Sequence, residues 1–196
     1  LTPEAASERC DLAGAGRIVT SRKVKDRLGW VPEGAVFLED LPRPGRLELL
    51  RFWLGLLFLD PVSLAAASPG GLDDAAAVLF TSGSTGRPKA VVLSHANILS
   101  NVEAISQVYA TLPNDRILGV LTLHHALGFT ATLWLPLLLG FGAVLHYDPS
   151  DAEAVARLAE RFRATILAAT PAMLAMYLRR VPEKSFKSLR LVVDGA

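Results

Sequence analysis

A polar loop with a basic end interrupts an apolar stretch of the sequence. Residues 79–94 read LFTSGSTGRPKAVVLS, and small, hydroxyl, glycine and basic residues fill positions 81–89. Glycines allow several backbone N–H groups to converge on an anion, hydroxyls add hydrogen-bond donors, and a lysine adds positive charge. The loop therefore predicts a phosphate-binding site that ends at Lys89.

Two other interpretations of this loop fit the residues less well. The loop of P-loop NTPases requires G-x-x-x-x-G-K-[ST] followed by a helix, whereas the sixth position counted from Gly83 is Pro88 and a β-type run follows Lys89. An ordinary hairpin connection needs only a few residues and one glycine. We set the P-loop interpretation aside, and the hairpin connection remains the alternative to phosphate binding.

A second candidate for chemistry is the histidine pair in LTLHHALGFT, residues 121–130. The run RILGVLTL is typical of a strand, and open α/β sheets bind ligands beyond the carboxyl ends of their strands. His125 is therefore a candidate site residue, and a histidine hydrogen-bonded to the backbone is the alternative. We interpret His124 as structural. Because neighbours on a strand point to opposite faces, a metal site made of both histidines is not expected.

Short β-branched runs alternate with helical patterns, which indicates an α/β fold with a largely parallel sheet flanked by helices. Predicted strands cover 16–20, 35–40, 75–81, 89–94, 116–123, 142–147, 165–169 and 189–193. Predicted helices cover 22–29, 95–110, 128–140, the stretch after Ser150, and 171–180. Ser94 is the expected cap of one helix, and Ser150 with Glu153 matches a capping box for another.

The composition restricts the class of protein. With 196 residues, 51% of them apolar and 20% charged, the chain is expected to be globular. A net charge of +1 gives no basic surface for nucleic acid. Cys10 is the only cysteine, which excludes an internal disulfide and a cysteine metal cluster and favours the reducing cytoplasm. The start of the sequence has no signal-peptide pattern, and we expect both ends to be cuts in a longer protein.

Two apolar stretches were tested as membrane spans. Residues 47–61 are too few and contain Arg51, and residues 127–147 contain Pro136 and several glycines, so neither fits a span of about 20 apolar residues. A helix over 46–59 that lies in the membrane interface is one interpretation, because Arg46 and Arg51 flank Phe52 and Trp53. A buried helix is the other.

The polar loop and its surroundings resemble a known family. LFTSGSTGRPKAVVLSHANI closely resembles the phosphate-loop signature of the adenylate-forming (AMP-binding) enzymes, LTLHHALGFT is similar to their second motif, and LRLVVDGA is similar to the strand that leads into their adenine-binding segment. Within that family, TSRKV, VFLEDL, SNVEAI and NDRILGVLTLHHALGFT look most like the acyl-acyl-carrier-protein synthetase part of bacterial 2-acylglycerophosphoethanolamine acyltransferases. Thr122 and His124 depart from the usual Pro and Phe of the second motif.

The resemblance implies an activity and a set of site residues. A fatty carboxylate would attack the α-phosphate of ATP, with Mg²⁺ as the metal cofactor, and the acyl-adenylate would pass to acyl-carrier protein or CoA. Lys89 and His125 are the implied catalytic residues, and none of the residues of this chain is assigned to the metal. The implied binding residues are Thr81, Ser82, Gly83, Ser84, Thr85, Gly86 and Lys89 for the phosphates, Gly195 and Ala196 for the adenine, and His125, Gly128 and Phe129 for the acid.

The resemblance also implies a division of the chain. Residues 1–62 would be an N-terminal βα segment, 63–75 a linker and 76–196 an ATP-binding subdomain. The family's Mg²⁺ acid, ribose aspartate and lid lysine would lie beyond Ala196, in a C-terminal remainder of the same protein, so this chain alone is predicted to be inactive. The alternative is a non-catalytic nucleotide- or lipid-binding module. We expect a cytoplasmic protein, with peripheral contact to the inner membrane through 46–59 as an open possibility.

Overall fold

The structure is a computed structural model that describes residues 2–58, 70–82 and 88–195. The chain divides into two compact units, one formed by residues 1–74 and 80–91 and the other by residues 75–79 and 92–196. Part of the expected linker, 63–69, lies outside the described residues. The same holds for Gly83, Ser84, Thr85 and Gly86 of the polar loop and for Ala196.

The first unit contains short elements. They are the helices α1 (Pro3–Ala13), α2 (Arg22–Leu28) and α3 (Arg46–Phe58), the strands β1 (Val19–Thr20) and β2 (Val36–Phe37), and a 3-10 turn at Leu38–Asp40. The strands β1 and β2 pair in parallel, as the alternating pattern predicts. Helix α1 was not predicted, although Thr2 caps it by accepting a hydrogen bond from the Ala5 N–H (3.3 Å) and Pro3 opens it.

Two strands flank the polar loop. Strands β3 (Ala75–Ser82) and β4 (Pro88–Ser94) form a two-stranded sheet. Both strands were predicted within one residue of these ends. Ser94 then caps the next helix, because its hydroxyl accepts from the Asn97 N–H (3.2 Å) while the Asn97 side chain accepts from the Ser94 N–H (3.1 Å).

The second unit is built on a four-stranded parallel sheet in the order β6-β5-β7-β8. This arrangement confirms the predicted α/β fold. The strands are β5 (Arg116–Gly119), β6 (Gly142–Leu145), β7 (Ile166–Ala169) and β8 (Leu191–Asp194). The helices are α4 (His95–Val108), α5 (Ala126–Gly128), a π-helix at Phe129–Trp134, α6 (Leu135–Leu139), α7 (Ala152–Phe162) and α8 (Pro171–Arg180), with a 3-10 turn at Glu183–Phe186.

Helices cover both faces of this sheet. Leu118 and Leu167 face a buried cluster formed by α7 and α8, which includes Tyr177. Their neighbours Ile117 and Ile166 face a second cluster, formed by α4, the π-helix and α6. Adjacent strand residues thus alternate between two cores, which explains why these strands are apolar at nearly every position.

The amino ends of the strands share a group of polar side chains around the buried Asp115, which we call the amino-edge cluster: Asp115, Thr165 and Arg190. Each residue directly precedes a strand. Asp115 is 2% exposed and accepts hydrogen bonds from Arg190 Nε (2.8 Å), from the Arg190 terminal nitrogen and from Thr165 Oγ1 (2.7 Å). It also accepts from the Leu112 N–H (2.7 Å). The amino-edge cluster therefore connects the amino ends of β5, β7 and β8 through hydrogen bonds.

The capping box predicted from Ser150 and Glu153 is wrong. Asp151 caps α7 instead, since its carboxylate accepts from the Ala154 N–H (2.9 Å). Ser150 donates to Asp148 Oδ1 through both its N–H (3.0 Å) and its hydroxyl (2.8 Å). Aspartate and serine are comparable caps, and the hydrogen bonds to Asp148 engage Ser150 in the preceding turn.

Helix α3 occupies most of the stretch that was tested as the first span. No helix among the described residues has the length and apolar character needed to cross a bilayer.

Candidate active site

The carboxyl ends of the four parallel strands lie at one edge of the sheet. Pairing aligns Gly119 with Leu145 on one side and Ala169 with Asp194 on the other. The segments that leave this edge are 120–125 after β5, 146–150 after β6, Thr170 after β7 and Gly195 after β8. Ligands of open parallel sheets bind beyond such an edge, and the sequence placed His125 and Gly195 there.

His125 lies where a turn becomes helix α5. Its N–H donates to the Thr122 carbonyl (3.2 Å), and its own carbonyl accepts from the Phe129 N–H (2.8 Å). The residue is exposed. These two hydrogen bonds fix the backbone of His125 at the carboxyl edge and use neither ring nitrogen.

The expected separation of the two histidines is wrong. Strand β5 ends at Gly119, so that His124 and His125 lie in a turn and their ring centroids are 4.2 Å apart. Partial burial of the ring, and secondarily the charge of His125, lowers the pKa of His124. The two rings are therefore neighbours in one turn.

Gly128 is buried because backbone passes close to it. A Cβ at this position would lie 2.2 Å from the Thr122 carbonyl oxygen. The backbone of Gly128 is ordinary right-handed helix (φ −62°, ψ −43°), so close approach and not conformation excludes a side chain. The turn before His125 and the helix after it are therefore packed directly on each other.

The helix predicted over 128–140 is interrupted. Residues Phe129–Trp134 form a π-helix, within which the Thr132 hydroxyl donates to the Gly128 carbonyl (2.6 Å). The rings of Phe129 and Trp134 meet edge to face, with centroids 5.9 Å apart. Trp134 Nε1 is buried and has no hydrogen-bond partner among the described residues. Short π-helical segments occur frequently at functional sites.

Gly195 lies beside the helix that follows His125. A Cβ at Gly195 would lie 3.6 Å from Leu127 Cδ2, which is van der Waals contact. The Gly195 N–H donates to the Ala169 carbonyl at the long distance of 3.4 Å. The structure therefore brings together two of the segments that the sequence predicted for the site.

The described residues of the polar loop belong to the first unit. Thr81 is exposed at the end of β3, and Lys89 is exposed near the start of β4. Ser82 is the last residue of β3. In the parts of the chain that the structure describes, Lys89 takes part in no ion pair.

Sequence analysis missed a cavity at the same edge of the second unit. Its volume is about 380 Å³, and its walls are Gly119, the turn 121–123 and the end of β6 at 145–147. His146 Nε2 is buried and lacks a hydrogen-bond partner among the described residues. Only the pairing of β5 with β6 brings these segments together, so no local sequence signal could reveal the cavity.

The described residues contain no cluster of typical metal-ligating side chains. No three His, Cys, Asp or Glu side chains meet as a metal-binding group within residues 2–58, 70–82 and 88–195. Thr170, for which the sequence suggested no role, caps α8 by accepting from the Met173 N–H (3.2 Å).

The whole chain, residues 1–196, matches the family model described as AMP-binding enzyme. It is 36% identical over 137 residues to a p-hydroxybenzoic acid–AMP ligase of Mycobacterium tuberculosis, a match that covers 67% of this chain and 19% of that protein. It is 35% identical over 105 residues to a feruloyl-CoA synthase of Amycolatopsis, covering 54% and 21%.

The fold is similar to that of solved structures. An o-succinylbenzoate CoA synthetase of Bacillus subtilis, in complex with ATP and magnesium ion, superposes with a TM-score of 0.74 at 22% identity. The match covers 100% of this chain and 38% of that one. The chain thus spans about a fifth of the two curated relatives and less than half of the solved structure.

Proposed function

Because this chain belongs to the AMP-binding enzyme family, we propose that it is the N-terminal part of an ATP-dependent ligase that activates a fatty carboxylate. The observation that carries the proposal is the proximity of Gly195 to Leu127, whose Cδ2 would lie 3.6 Å from a Cβ added at Gly195. It joins the segment proposed for adenine to the helix that begins after His125, the residue proposed to lie near the acid. In an acyl-adenylate the α-phosphate and the ribose connect the acyl group to the adenine, so the segments that bind the two groups must belong to one site.

The proposed reaction has two steps. A carboxylate oxygen attacks the α-phosphorus of ATP, the bond to the β-phosphate oxygen breaks, and pyrophosphate leaves. A thiol of acyl-carrier protein or CoA then attacks the acyl carbon, and AMP leaves as the thioester forms. Two anions meet in the first step, so the site must neutralise charge and align the attack.

In this proposal the polar loop holds the triphosphate. Lys89 supplies the positive charge, which its exposed position on β4 supports. Hydroxyl and amide groups of the loop hold the β- and γ-phosphates. The full proposed set is Thr81, Ser82, Gly83, Ser84, Thr85 and Gly86.

His125 is proposed to lie near the reacting carboxylate and the thiol. Its exposed position at the carboxyl edge supports this role. Gly128 and Phe129 are proposed to border the acid, and Gly195 with Ala196 the adenine. Gly128 would act through its missing side chain, since it allows the turn and the helix around His125 to pack closely.

The finer identity is also a proposal. The segments quoted above favour an acyl-acyl-carrier-protein synthetase of phospholipid metabolism that acts in the cytoplasm on fatty acids. The division into 1–62, 63–75 and 76–196 and the C-terminal remainder of the protein belong to the same proposal. The relatives act on other acids by name, p-hydroxybenzoic acid and feruloyl groups among them.

Hydroxylamine trapping of the complete protein tests the proposal. Hydroxylamine converts an acyl-adenylate into a hydroxamate, so ATP with a fatty acid should yield fatty hydroxamate and omission of ATP should abolish it. Hydroxamate formed with aromatic acids but not with fatty acids would overturn the proposed fatty substrate and would still support an adenylate-forming ligase. Nucleotide binding without hydroxamate from any fatty or aromatic acid would indicate the non-catalytic module.

A further inference from the structure

The turn after β5 presents two imidazoles at the carboxyl edge of the sheet. His124 and His125 are both exposed, their ring centroids lie 4.2 Å apart, and their ring planes are inclined by 42°. Neither ring takes part in an ion pair with the residues that the structure describes. No hydrogen bond contributes to the lowered pKa of His124. The ring nitrogens of His124 are therefore available to a molecule bound at this edge.

The backbone around the two histidines is closely held. The His125 N–H donates to the Thr122 carbonyl (3.2 Å), and a Cβ at Gly128 would lie 2.2 Å from the same carbonyl oxygen. The turn is therefore packed against α5. A side chain that transfers a proton must be held within hydrogen-bond reach of the reacting group, and a packed turn meets this requirement.

Other titratable side chains at the carboxyl edge are less suited to accept a proton near pH 7. His146 follows β6, but its Nε2 is buried. Tyr147 carries a phenol, and Asp148 and Asp194 carry carboxylates, of which Asp148 accepts hydrogen bonds from Ser150. Phenols ordinarily ionise at about pH 10 and carboxylates at about pH 4, whereas imidazoles titrate near neutral pH. Among the described residues that leave this edge, the histidine pair therefore supplies the accessible base.

The thiol in the second proposed step must lose a proton. An ordinary thiol has a pKa of about 8.5, so only a few per cent of it is thiolate at pH 7. A neutral imidazole within hydrogen-bond reach can take the S–H proton as the sulfur attacks, and such a base typically accelerates a step by about 10²–10⁴-fold. The lowered pKa of His124 enlarges the neutral fraction of this imidazole at pH 7.

The closeness of the two rings favours a division of roles. A positive charge on one imidazole disfavours a charge on the other, and the charge of His125 contributes to the lowered pKa of His124. A carboxylate beside His125 would favour the charged form of that ring. Pairs of titratable groups whose environments separate their pKa values commonly act as one acid and one base. His125 is thus suited to the acid substrate, and His124 to a proton that must be removed.

We propose that His124 is a catalytic base that takes the proton from the acceptor thiol in the second step. This inference rests on the ligase proposed above, and it differs from the structural role that the sequence suggested for His124. As the S–C bond forms, the S–H proton moves to a ring nitrogen of His124. The bond between the acyl carbon and the phosphate oxygen breaks, and AMP leaves with that electron pair. The exposed imidazolium then releases the proton to water.

Comparison of two nucleophiles in the complete protein tests the proposal. The acid is one that gives hydroxamate in the trapping experiment, and the thiols are CoA and, in parallel, an acyl-carrier protein. His124→Phe should keep the wild-type rates of ATP–pyrophosphate exchange and of hydroxamate formation, because hydroxylamine is a neutral amine with a free lone pair. The same variant should form thioester roughly 100-fold more slowly at pH 7.

The pH profile separates a lost base from a lost packing contact. At pH 9 most of an ordinary thiol is ionised and needs no base. The thioester defect of His124→Phe should therefore shrink from roughly 100-fold at pH 7 to about fivefold at pH 9, and the defect of His124→Gln should shrink in the same way. A defect that is equal at both pH values would show that the ring only positions the turn, and it would overturn the proposal.

His95→Phe is the matched control. His95 is also exposed and begins α4, outside the segments that leave the carboxyl edge. Its replacement should leave exchange and thioester formation unchanged.

The remaining outcomes distinguish this inference from the ligase itself. Thioester formation by His124→Phe at the wild-type rate at pH 7 would overturn the role of His124 and leave the ligase intact. The same conclusion would follow if the wild-type protein gave hydroxamate but no thioester with either thiol. Absence of both products from the wild-type protein would overturn the ligase and this inference with it.

Discussion

Asp115 is nearly inaccessible to solvent, at 2% exposure, and still ionised. Hydrogen bonds from Arg190, reinforced by those from Thr165 and Leu112, lower the pKa of Asp115 from 3.8 to about 2 against the opposing effect of burial. The hydrogen bonds that Arg190 donates to Asp115 also raise the pKa of Arg190. The residue therefore stabilises the native state as a carboxylate.

Replacement of Asp115 by Asn should destabilise the complete protein by about 2 kcal/mol near pH 7, since a lowered pKa of this size corresponds to that much free energy. Because the native pKa is depressed, the stabilisation is fully present above about pH 4 and is lost as the pH falls towards 2. The difference in the free energy of unfolding between the wild type and Asp115→Asn should decrease by about 1 kcal/mol when the pH falls from 5 to 3. Chemical denaturation at both pH values measures it.

Asp26→Asn, at an exposed position on α2, is the control for Asp115→Asn. It should change stability by less than about 0.5 kcal/mol at either pH. If the free energy of unfolding of the wild type exceeded that of Asp115→Asn by more at pH 3 than at pH 5, the proposed role of Asp115 in the amino-edge cluster would be contradicted.

Lys89→Ala should affect the pyrophosphate side of the reaction more than the acid side. Loss of a cation at the phosphates should slow ATP–pyrophosphate exchange by the complete protein roughly 10- to 100-fold, while the KM for the acid changes little. Lys89→Arg should recover part of the rate, and Lys23→Ala, at an exposed position on α2, should be neutral. An unchanged rate of ATP–pyrophosphate exchange in Lys89→Ala would contradict the proposed role of Lys89 in phosphate binding.

At the scale of elements, α5 and the turn before it act as one packed piece. Gly128→Ala would place a Cβ 2.2 Å from the Thr122 carbonyl oxygen. Alanine favours a helix over glycine by about 1 kcal/mol, whereas overpacking against backbone costs about 1–3 kcal/mol. We therefore expect net destabilisation, displacement of His125 and loss of hydroxamate formation.

Gly55→Ala is the matched control for Gly128→Ala. Gly55 also lies inside a helix, α3, but a Cβ there meets nothing within 4 Å. The same substitution should be neutral or stabilising by up to about 1 kcal/mol. Equal effects at both positions, measured by thermal unfolding, would show that close packing at Gly128 is not the reason for the glycine.

Elements with strong local signals could be predicted from the sequence. The strands around the polar loop, the Ser94 cap and helix α8 opening at Pro171 are examples. Competing local signals produced the errors, as at Asp151, where two residues in a row could cap α7. The π-helix at Phe129–Trp134 has no sequence signature and depends on tertiary packing.

Positions within the candidate site were partly predictable. Placement of His125 and Gly195 beyond strand ends follows from alternating β and α patterns. The proximity of the His124 and His125 rings does not follow from that pattern, because β5 ends at Gly119 rather than at residue 123. The cavity between β5 and β6 depends on strand pairing over a separation of some 25 residues, which no local pattern encodes.

At the scale of the whole molecule, the chain holds only part of the proposed machinery. It spans about a fifth of the curated relatives, and its described residues contain no metal-binding group. We expect the isolated 196 residues to show no ATP–pyrophosphate exchange, and the complete protein to show it. Exchange by the isolated chain would contradict the proposed need for further residues.

The amino edge and the carboxyl edge of the parallel sheet carry different kinds of residues. Residues that secure the fold, Asp115, Thr165 and Arg190, stand before the strands, and the candidate chemical groups stand after them. Substitutions in the 121–123 and 145–147 segments should therefore leave the anchoring interactions intact. In laboratory evolution, random substitutions at the carboxyl edge of the sheet should preserve folding, whereas random substitutions of Asp115, Thr165 and Arg190 at the amino edge should impair it.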